Sequence, residues 1–247
     1  MNIIVIGEHC EDIFIYGNVN RLCPEAPVPI FIPKKTVRNS GMSGNVVNNL
    51  ESISDFKRIH LIRQNCIITK TRYVDLKTNH MFMRVDEGDE NVNPYNMNFD
   101  LSSYEIVVVS DYNKGFLTNE HLKQIGTTCK GLSIIDTKRK LTQDIIDLFT
   151  FIKVNKDEYQ QNKDIIDINK EKVIITLGKD GVLYNDKHYS SLNPMDTIDV
   201  SGAGDTFTAS FTFKYYQTKD IDQSIMFANE MSGLVVTKRG VVTPFTH

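Results

Sequence analysis

The residues best suited to chemistry lie near the C-terminus, in the octet Asp-Val-Ser-Gly-Ala-Gly-Asp-Thr at positions 199–206. Two glycines around an alanine let consecutive backbone N–H groups turn toward one point, and the apolar run that follows predicts a helix whose positive end faces that point. The octet therefore predicts an anion site beside Asp205, where a carboxylate can take a proton from a hydroxyl that attacks phosphorus. For Gly-Ala-Gly-Asp alone, an ordinary strand-to-helix turn with a capping Asp is the alternative.

The composition indicates an ordinary globular protein with one core. Hydrophobic residues make up 40% and charged residues 24% of the 247 residues, and this length suits one main domain over 1–247. The net charge of −3 comes with dispersed Lys and Arg residues, so nucleic acid is not an expected partner. No apolar stretch approaches the roughly 20 residues that span a bilayer, so no membrane partner is expected.

The first residues and the cysteines are typical of a protein in a reducing compartment. Residues 1–7 lack a basic leader and predict a buried strand. The four cysteines are widely spaced without a Cys-x-x-Cys pair, which predicts neither a zinc site nor a disulfide framework. We therefore expect a cytoplasmic protein.

Strands and helices alternate along most of the chain. The strands are predicted from apolar, β-branched runs at 3–6, 106–109, 132–135, 151–154 and 173–177. Helices are predicted between several of these runs and at the end of the chain, over 119–129, 142–148, 206–216 and 221–238. This pattern predicts a parallel sheet wrapped by helices, with ligands bound beyond the carboxyl ends of the strands, where the octet also lies.

A second kind of strand predicts a lid. Short segments with polar residues on one face occur within 12–36 and 68–87, and they predict a small sheet that is packed on one side only. Prolines at 24, 27, 29 and 33 confine 28–32 to an edge or an irregular strand. Because an exposed strand edge invites pairing with another chain, we expect a homodimer through this lid sheet.

The octet with its flanks resembles the signature of the ribokinase-type (PfkB) carbohydrate kinases. The resemblance implies that Asp205 is the catalytic base and that the amides of Gly202, Ala203 and Gly204 form the anion hole. It implies ATP and Mg²⁺ as cofactors. It also implies a ribokinase-like three-layer α/β/α domain, with a mostly parallel central sheet and a small β-sheet lid.

Two N-terminal segments resemble the sugar-binding parts of the family. Gly41 and Asn45 match a Gly-Gly-x-x-Asn motif in which Met42 replaces the second glycine. A packing turn is the alternative for this segment alone. Asp12 aligns with a sugar-binding Asp, a role that suits a carboxylate because it grips vicinal hydroxyls, and a solvated turn acid is its alternative.

Other segments resemble the family's nucleotide site. Asn155 and Glu158 match an Asn-x-x-Glu element that orders Mg²⁺ through waters, and these ligand types suit that ion. Without the resemblance, a helix start with a capping Asn explains them. The remaining nucleotide residues implied by the resemblance are Thr176, Gly178, Gly181 and Asn229. For the two glycines, the alternative is a plain hairpin turn. For the Asn, the alternative is an ordinary polar residue in a helix.

The run Ser-Asp-Tyr-Asn-Lys-Gly at 110–115 matches one branch of the family, the heptose-7-phosphate kinases of the ADP-heptose pathway. It implies that Asp111 faces sugar hydroxyls and that Lys114 faces a substrate phosphate, with a strand-end turn and a solvated Lys as the alternative. Segments 16–17, 21–29 and 69–73 point to the same branch, as does 84–86, where Arg84 is the implied substrate ligand.

The chain also departs from these relatives, which insert a helix and a strand after Asn65 and a helix between Tyr159 and Val173. We expect the losses to expose apolar surface. Bifunctional members of the branch add a nucleotidyltransferase domain, for which 247 residues leave no room, so any second step is expected on another polypeptide.

The resemblance implies a kinase that phosphorylates the anomeric hydroxyl of D-glycero-D-manno-heptose 7-phosphate to the 1,7-bisphosphate. One alternative is a PfkB-type kinase of another sugar phosphate or of a nucleoside, because Met42 and the shortened segment after Asn65 border the sugar pocket. Another is a catalytically silent homologue that only binds a sugar phosphate.

Overall fold

The protein is described by a computed structural model that covers residues 2–56, 58–96, 100–191 and 197–245. Its strands are β1 (Ile3–Gly7), β2 (His9–Leu22), β3 (Pro29–Met42), β4 (Ile59–Ile62), β5 (Thr69–Asp75), β6 (Met81–Glu87), β7 (Ile106–Asp111), β8 (Leu132–Thr137), β9 (Phe151–Asn155), β10 (Val173–Thr176), β11 (Val182–Tyr184) and β12 (Lys187–Tyr189). Its helices are α1 (Ser43–Ile53), α2 (Asn119–Thr128), α3 (Gln143–Leu148), α4 (Lys156–Gln161), α5 (Lys163–Asp167), α6 (Ala203–Thr218) and α7 (Ile221–Val235).

Eight strands form a large, mostly parallel sheet in the order β12-β11-β10-β9-β8-β7-β1-β4. From β4 to β10 every neighbouring pair is parallel, whereas β11 and β12 are added antiparallel at one edge. Parallel strands buried on both faces explain why these runs are continuously apolar. The antiparallel β10 and β11 form the hairpin that was the alternative reading around Gly178 and Gly181.

Two apolar clusters separate the sheet from a helical layer on each side. Ile3 and Val5 of β1 pack in the cluster that contains α1, α6 and α7, whereas Ile4 and Ile6 pack in the cluster that contains α2, α3 and α5. The alternation follows from the two-residue period of a strand. It confirms the predicted three-layer α/β/α arrangement.

The predicted lid is a separate four-stranded sheet in the order β3-β2-β5-β6. The long strands β2 and β3 pair antiparallel over fourteen residues each, and both extend beyond the segments that alternation alone predicted. Pro29 and Pro33 lie in the edge strand β3, which is where a residue without an N–H is tolerated. We call this group of strands the lid sheet.

The two places where relatives carry extra elements expose apolar side chains, as expected. Ile67 precedes β5 and is 75% exposed, and Ile168 follows α5 and is 74% exposed. The region between Tyr159 and Val173, where relatives carry a longer helix, still covers part of the core. Its short helix α5 inserts Ile166 into the core cluster of α2 and α3. None of the helices in the described ranges is long and apolar enough to cross a membrane.

Two isoleucines near α5 give a matched test of this packing. Ile166→Ala should lower the free energy of unfolding by about 2–5 kcal/mol, because it opens a cavity under a side chain that is 1% exposed. Ile168→Ala should change it by less than about 0.5 kcal/mol. Urea unfolding followed by circular dichroism measures both, and equal losses would place α5 elsewhere.

Candidate active site

The octet forms the turn that starts α6. Gly202 is the N-cap residue with φ 81°, a left-handed backbone that favours glycine. Asp199 holds the turn because its carboxylate accepts the N–H groups of Ser201 at 2.9 Å and Gly240 at 3.1 Å.

Of the three amides predicted to form the anion hole, that of Ala203 donates to the backbone oxygen of Val200 at 3.3 Å. Within the residues that the structure describes, the amides of Gly204 and of the following Asp205 have no hydrogen-bond acceptor. A helix end with free amides is suited to an anion.

Asp205 lies in the first turn of α6 and is 4% exposed. Asn45 Nδ2 donates to its Oδ2 at 2.9 Å, and the Tyr112 hydroxyl donates to its Oδ1 at 3.0 Å. Each carboxylate oxygen is therefore oriented by a donor from a different part of the chain, one on α1 and one in the loop after β7.

Burial raises the pKa of Asp205 to about 6, because removing the carboxylate from water disfavours its charge. The nearby Asp136 raises the pKa further, while the hydrogen bonds from Asn45 and Tyr112 and the charge of Lys153 lower it. A carboxylate with a pKa near 6 is ionised at neutral pH and is still basic enough to accept a proton.

A chain of side chains fixes α1 against α6. Asn49 Nδ2 donates to Asn45 Oδ1 at 3.0 Å, and the Thr206 hydroxyl donates to Asn49 Oδ1 at 2.9 Å. These hydrogen bonds orient the amide N–H of Asn45 toward Asp205. Asn45, which was predicted to bind sugar, therefore contacts the predicted base directly.

Met42, the residue that departs from the family motif, is the N-cap residue of α1 with φ 55° and ψ −131°. This conformation is close to glycine-only. The Met42 side chain is buried beside Cys10 and Ile68, so packing offsets the backbone strain. A glycine in the family motif would meet the same backbone demand without strain.

A cavity of about 580 Å³ opens in front of the octet, at the carboxyl ends of β8, β9 and β10. It brings together the octet glycines, Asp205 and all the residues predicted to bind nucleotide, namely Asn155, Glu158, Thr176, Gly178, Gly181 and Asn229. Its position follows the rule for open α/β sheets. Asn229 Nδ2 donates to the backbone oxygen of Ser190 at 2.9 Å, which ties α7 to the cavity wall.

Asn155 and Glu158 form a reciprocal capping box at the start of α4. Asn155 Oδ1 accepts the N–H of Glu158 at 2.9 Å, and Glu158 Oε2 accepts the N–H of Asn155 at 2.7 Å. Asn155 therefore caps α4, as the alternative interpretation predicted. The same hydrogen bonds hold the Glu158 carboxylate on the cavity wall. One carboxylate with one amide fits Mg²⁺ held mainly by waters and phosphates. No cluster of three or more acidic, His or Cys ligands occurs within the described ranges.

Two of the predicted sugar residues, Asp12 and Gly41, lie in β2 and β3 of the lid sheet and do not line this cavity, whereas Asp111 does. The Asp12 carboxylate is buried and paired with Arg72 at 2.5 Å. A Cβ atom at Gly41 would overlap that carboxylate, so the glycine lets β3 approach it closely. Cys10 lies beside Asp12, and burial raises the pKa of its thiol to about 12.

Three other predicted substrate residues already have partners. The Asp111 carboxylate is fully buried and accepts from Arg139 Nε at 2.5 Å, so a structural ion pair is its observed contact. Lys114 is paired with Asp89, and Arg84 lies on the outer strand β6 with Asp86 at 2.8 Å. Direct contact of these residues with a sugar stays a prediction.

The loop after β7 is organised by Glu8, which follows β1 and has no exposed surface. Its carboxylate accepts the backbone N–H groups of Tyr112 at 2.9 Å, Lys114 at 3.0 Å and Phe116 at 3.3 Å. Burial raises the pKa of Glu8 and the charge of Asp111 raises it further, whereas the hydrogen bonds from Tyr112 and Lys114 lower it. Glu8 thereby places the Tyr112 hydroxyl on Asp205.

Sequence reasoning missed Glu8, Tyr112, Asp136 and Lys153. Lys153 Nζ donates to Asp136 Oδ2 at 2.8 Å, and both residues line the cavity. Lys153 interrupts an otherwise apolar strand, and a lysine in a buried strand is a signal because burying an ammonium group is costly. Tyr112 lies in the run 110–115, in which the sequence analysis assigned roles only to Asp111 and Lys114.

Comparison with known proteins agrees with this architecture. The model of the pfkB family carbohydrate kinases matches residues 78–247. The chain is 30% identical to the bifunctional protein HldE of Sulfurimonas denitrificans over 294 residues, with 98% of this chain and 62% of that protein covered. HldE of Helicobacter pylori J99 is 29% identical, with 96% and 63% covered.

The chain thus spans less than two thirds of these relatives. Because the match of 294 residues exceeds the 247 of this chain, the relative also carries positions without a counterpart here.

Solved structures share the fold. Ribokinase from Thermotoga maritima superposes with a TM-score of 0.68 at 17% identity, covering 97% of this chain and 94% of that chain. A nucleoside kinase from Methanocaldococcus jannaschii superposes with a TM-score of 0.67 at 17% identity, covering 97% and 93%. The fold is therefore ribokinase-like, and the match over residues 78–247 shows that the chain belongs to the pfkB family of carbohydrate kinases.

Proposed function

We propose that the whole chain acts as one kinase domain that transfers the γ-phosphoryl group of ATP to the anomeric hydroxyl of a heptose 7-phosphate. The observation that carries this proposal is the buried carboxylate of Asp205, which adjoins free helix amides at the end of a nucleotide-sized cavity. The acceptor is inferred from the segments that resemble heptose-7-phosphate kinases, and the HldE relatives support it.

Asp205 takes the proton of the acceptor hydroxyl as the hydroxyl oxygen attacks the γ-phosphorus and the bond to ADP breaks. The free amides of Gly204 and Asp205 receive the negative charge of the transferred group. Asn45 and Tyr112 hold both oxygens of the base in place, so little reorganisation accompanies the proton transfer.

Mg²⁺ is part of this proposal, with Asn155 and Glu158 ordering its water ligands at the cavity wall. The ion, when bound, neutralises charge on the nucleotide phosphates. The capping box orients the Glu158 carboxylate before any ligand arrives.

A lysine on the lid sheet supports the proposal that the acceptor carries a phosphate group. Lys70 of β5 lies with its Nζ 5.2 Å from the centre of the Tyr112 ring, and Lys138 lies 5.0 Å from the same ring. Two positive charges, one on the lid sheet and one after β8, therefore lie close to the ring whose hydroxyl donates to Asp205. Such charges attract an anionic acceptor.

A coupled assay of ADP release tests the proposed reaction across acceptors. With ATP and Mg²⁺, heptose 7-phosphate should give faster turnover than unphosphorylated heptose, other sugar phosphates or nucleosides. Asp205→Asn should lower kcat by about 10²–10⁴-fold with acceptor binding largely kept, because the variant retains shape and loses the base. ATP consumption that is independent of every acceptor, or unchanged in the variant, would contradict the proposal.

The pH dependence follows from the pKa of Asp205, which burial raises to about 6. The base works only when ionised, so kcat/KM should be level above that pH and fall about tenfold per pH unit below it. Tyr112→Phe should move this acid limb to higher pH, because the lost hydrogen bond had lowered the pKa of Asp205. Initial rates from about pH 5 to about pH 8 measure both profiles. A limb that moves to lower pH in the variant would contradict the assignment.

We also propose a homodimer through the lid sheet. The outer strand β6 carries three consecutive exposed apolar residues, Met81, Phe82 and Met83, and the ring of Phe82 packs edge-on against Phe31 of β3. Exposed apolar residues on the edge strand of a sheet favour pairing with another chain.

Two methionines of similar exposure test this interface. Met83 on β6 is 53% exposed, and Met226 on α7 is 50% exposed. Light scattering after size exclusion should give a two-chain mass for the parent and for Met226→Asp, and a one-chain mass for Met83→Asp. A charge buried in an interface disfavours association. A monomeric parent or an intact Met83→Asp dimer would exclude the lid interface.

A further inference from the structure

Lys153 is a buried ammonium group with unused donors. It lies in β9 with its side chain 8% exposed, and its Nζ has one hydrogen-bond acceptor, Asp136 Oδ2 at 2.8 Å, among the residues that the structure describes. An ammonium carries three N–H donors, so two remain for another partner. Because Lys153 lines the cavity, those donors can serve a bound ligand.

The ammonium lies directly against the octet. A Cβ atom built at Gly204 would lie 3.0 Å from Lys153 Nζ, closer than side chains normally approach, so the glycine leaves room for the ammonium. Its partner Asp136 is held in turn by the Thr208 hydroxyl, which lies one turn further along α6 and donates to Oδ2 at 3.2 Å. The ion pair is therefore fixed to the helix whose first amides are free.

The ammonium group of Lys153 is buried but has an acidic partner, Asp136 at 2.8 Å. Burial alone acts to lower the pKa of this lysine, but pairing with Asp136 and the charges of Glu158 and Asp205 raise it overall. The same positive charge lowers the pKa of Asp205. The pair of Lys153 and Asp136 therefore lines the same cavity as the predicted base and the residue predicted to order Mg²⁺.

We propose that Lys153 binds the γ-phosphate of ATP and stays on that group as it is transferred, an inference that rests on the proposed function. The acceptor oxygen must lie at Asp205 when it loses its proton, so the phosphorus that it attacks lies next to Asp205 as well. Oxygens on that phosphorus then face both the free amides and Lys153. Charge that spreads over these oxygens during transfer is stabilised by a fixed cation.

The competing explanation is that Lys153 only neutralises the buried Asp136. The two explanations separate in a double-mutant cycle of Lys153→Met, Asp136→Asn and the double variant. The double variant removes both members of the ion pair, so it leaves neither of them buried without its partner. Lys163→Met on the exposed surface of α5 controls for the loss of a lysine.

Calorimetric titration with ADP and with the β,γ-imido analogue of ATP, both with Mg²⁺, tests the inference without turnover. Lys153→Met should weaken the analogue at least about tenfold more than ADP, since a charge-assisted hydrogen bond is worth about 1.5–3 kcal/mol. The selective loss should persist when Asp136→Asn is already present, and Lys163→Met should bind both ligands like the parent.

Equal weakening of both nucleotides, or no loss from Lys153→Met in the Asp136→Asn background, would overturn the inference and leave the proposed kinase reaction standing. A parent protein that binds neither nucleotide would overturn both.

Discussion

The buried carboxylate of Asp205 is the constraint on which the rest of the site depends. A charge in that position is costly, and the cost is offset by two donors and one cation that come from distant parts of the chain. Asn45 comes from α1, Tyr112 from the loop after β7 and Lys153 from β9. Holding these three around one group requires the three-layer core, because each comes from a different segment that the sheet and its helices bring together.

Hydrogen bonds orient the side chains on both sides of Asp205. On the side proposed for the acceptor, Glu8 accepts backbone N–H groups of the loop after β7 and so places Tyr112. On the side proposed for the nucleotide, the capping box of α4 and the pair of Lys153 and Asp136 line the cavity that also holds the octet glycines. Preorganised donors that face developing charge contribute strongly to phosphoryl transfer, a reaction that leaves little covalent chemistry to the protein.

The fold was predictable because its signals are local, and parts of the site were not because their contacts are remote. Continuous apolar runs such as Ile106–Val109 predict buried parallel strands from sequence alone, and the octet predicts a helix start that can hold an anion. The contact between Tyr112 and Asp205 joins residues 93 positions apart, and no local pattern encodes it. The apolar residues around Lys153 predict a buried strand, and this pattern assigns no separate role to the one lysine within it. The ion pair of Asp111 with Arg139 likewise became visible only when β7 and the loop after β8 came together.

The most direct test of the central claim is a crystal structure with ADP, Mg²⁺, aluminium fluoride and a heptose phosphate, since the fluoride complex mimics a phosphoryl group in transfer. The planar fluoride group should lie against the amides of Gly204 and Asp205, with the acceptor hydroxyl hydrogen-bonded to the Asp205 carboxylate. A fluoride group bound elsewhere in the cavity, or an acceptor hydroxyl that faces another base, would contradict the account.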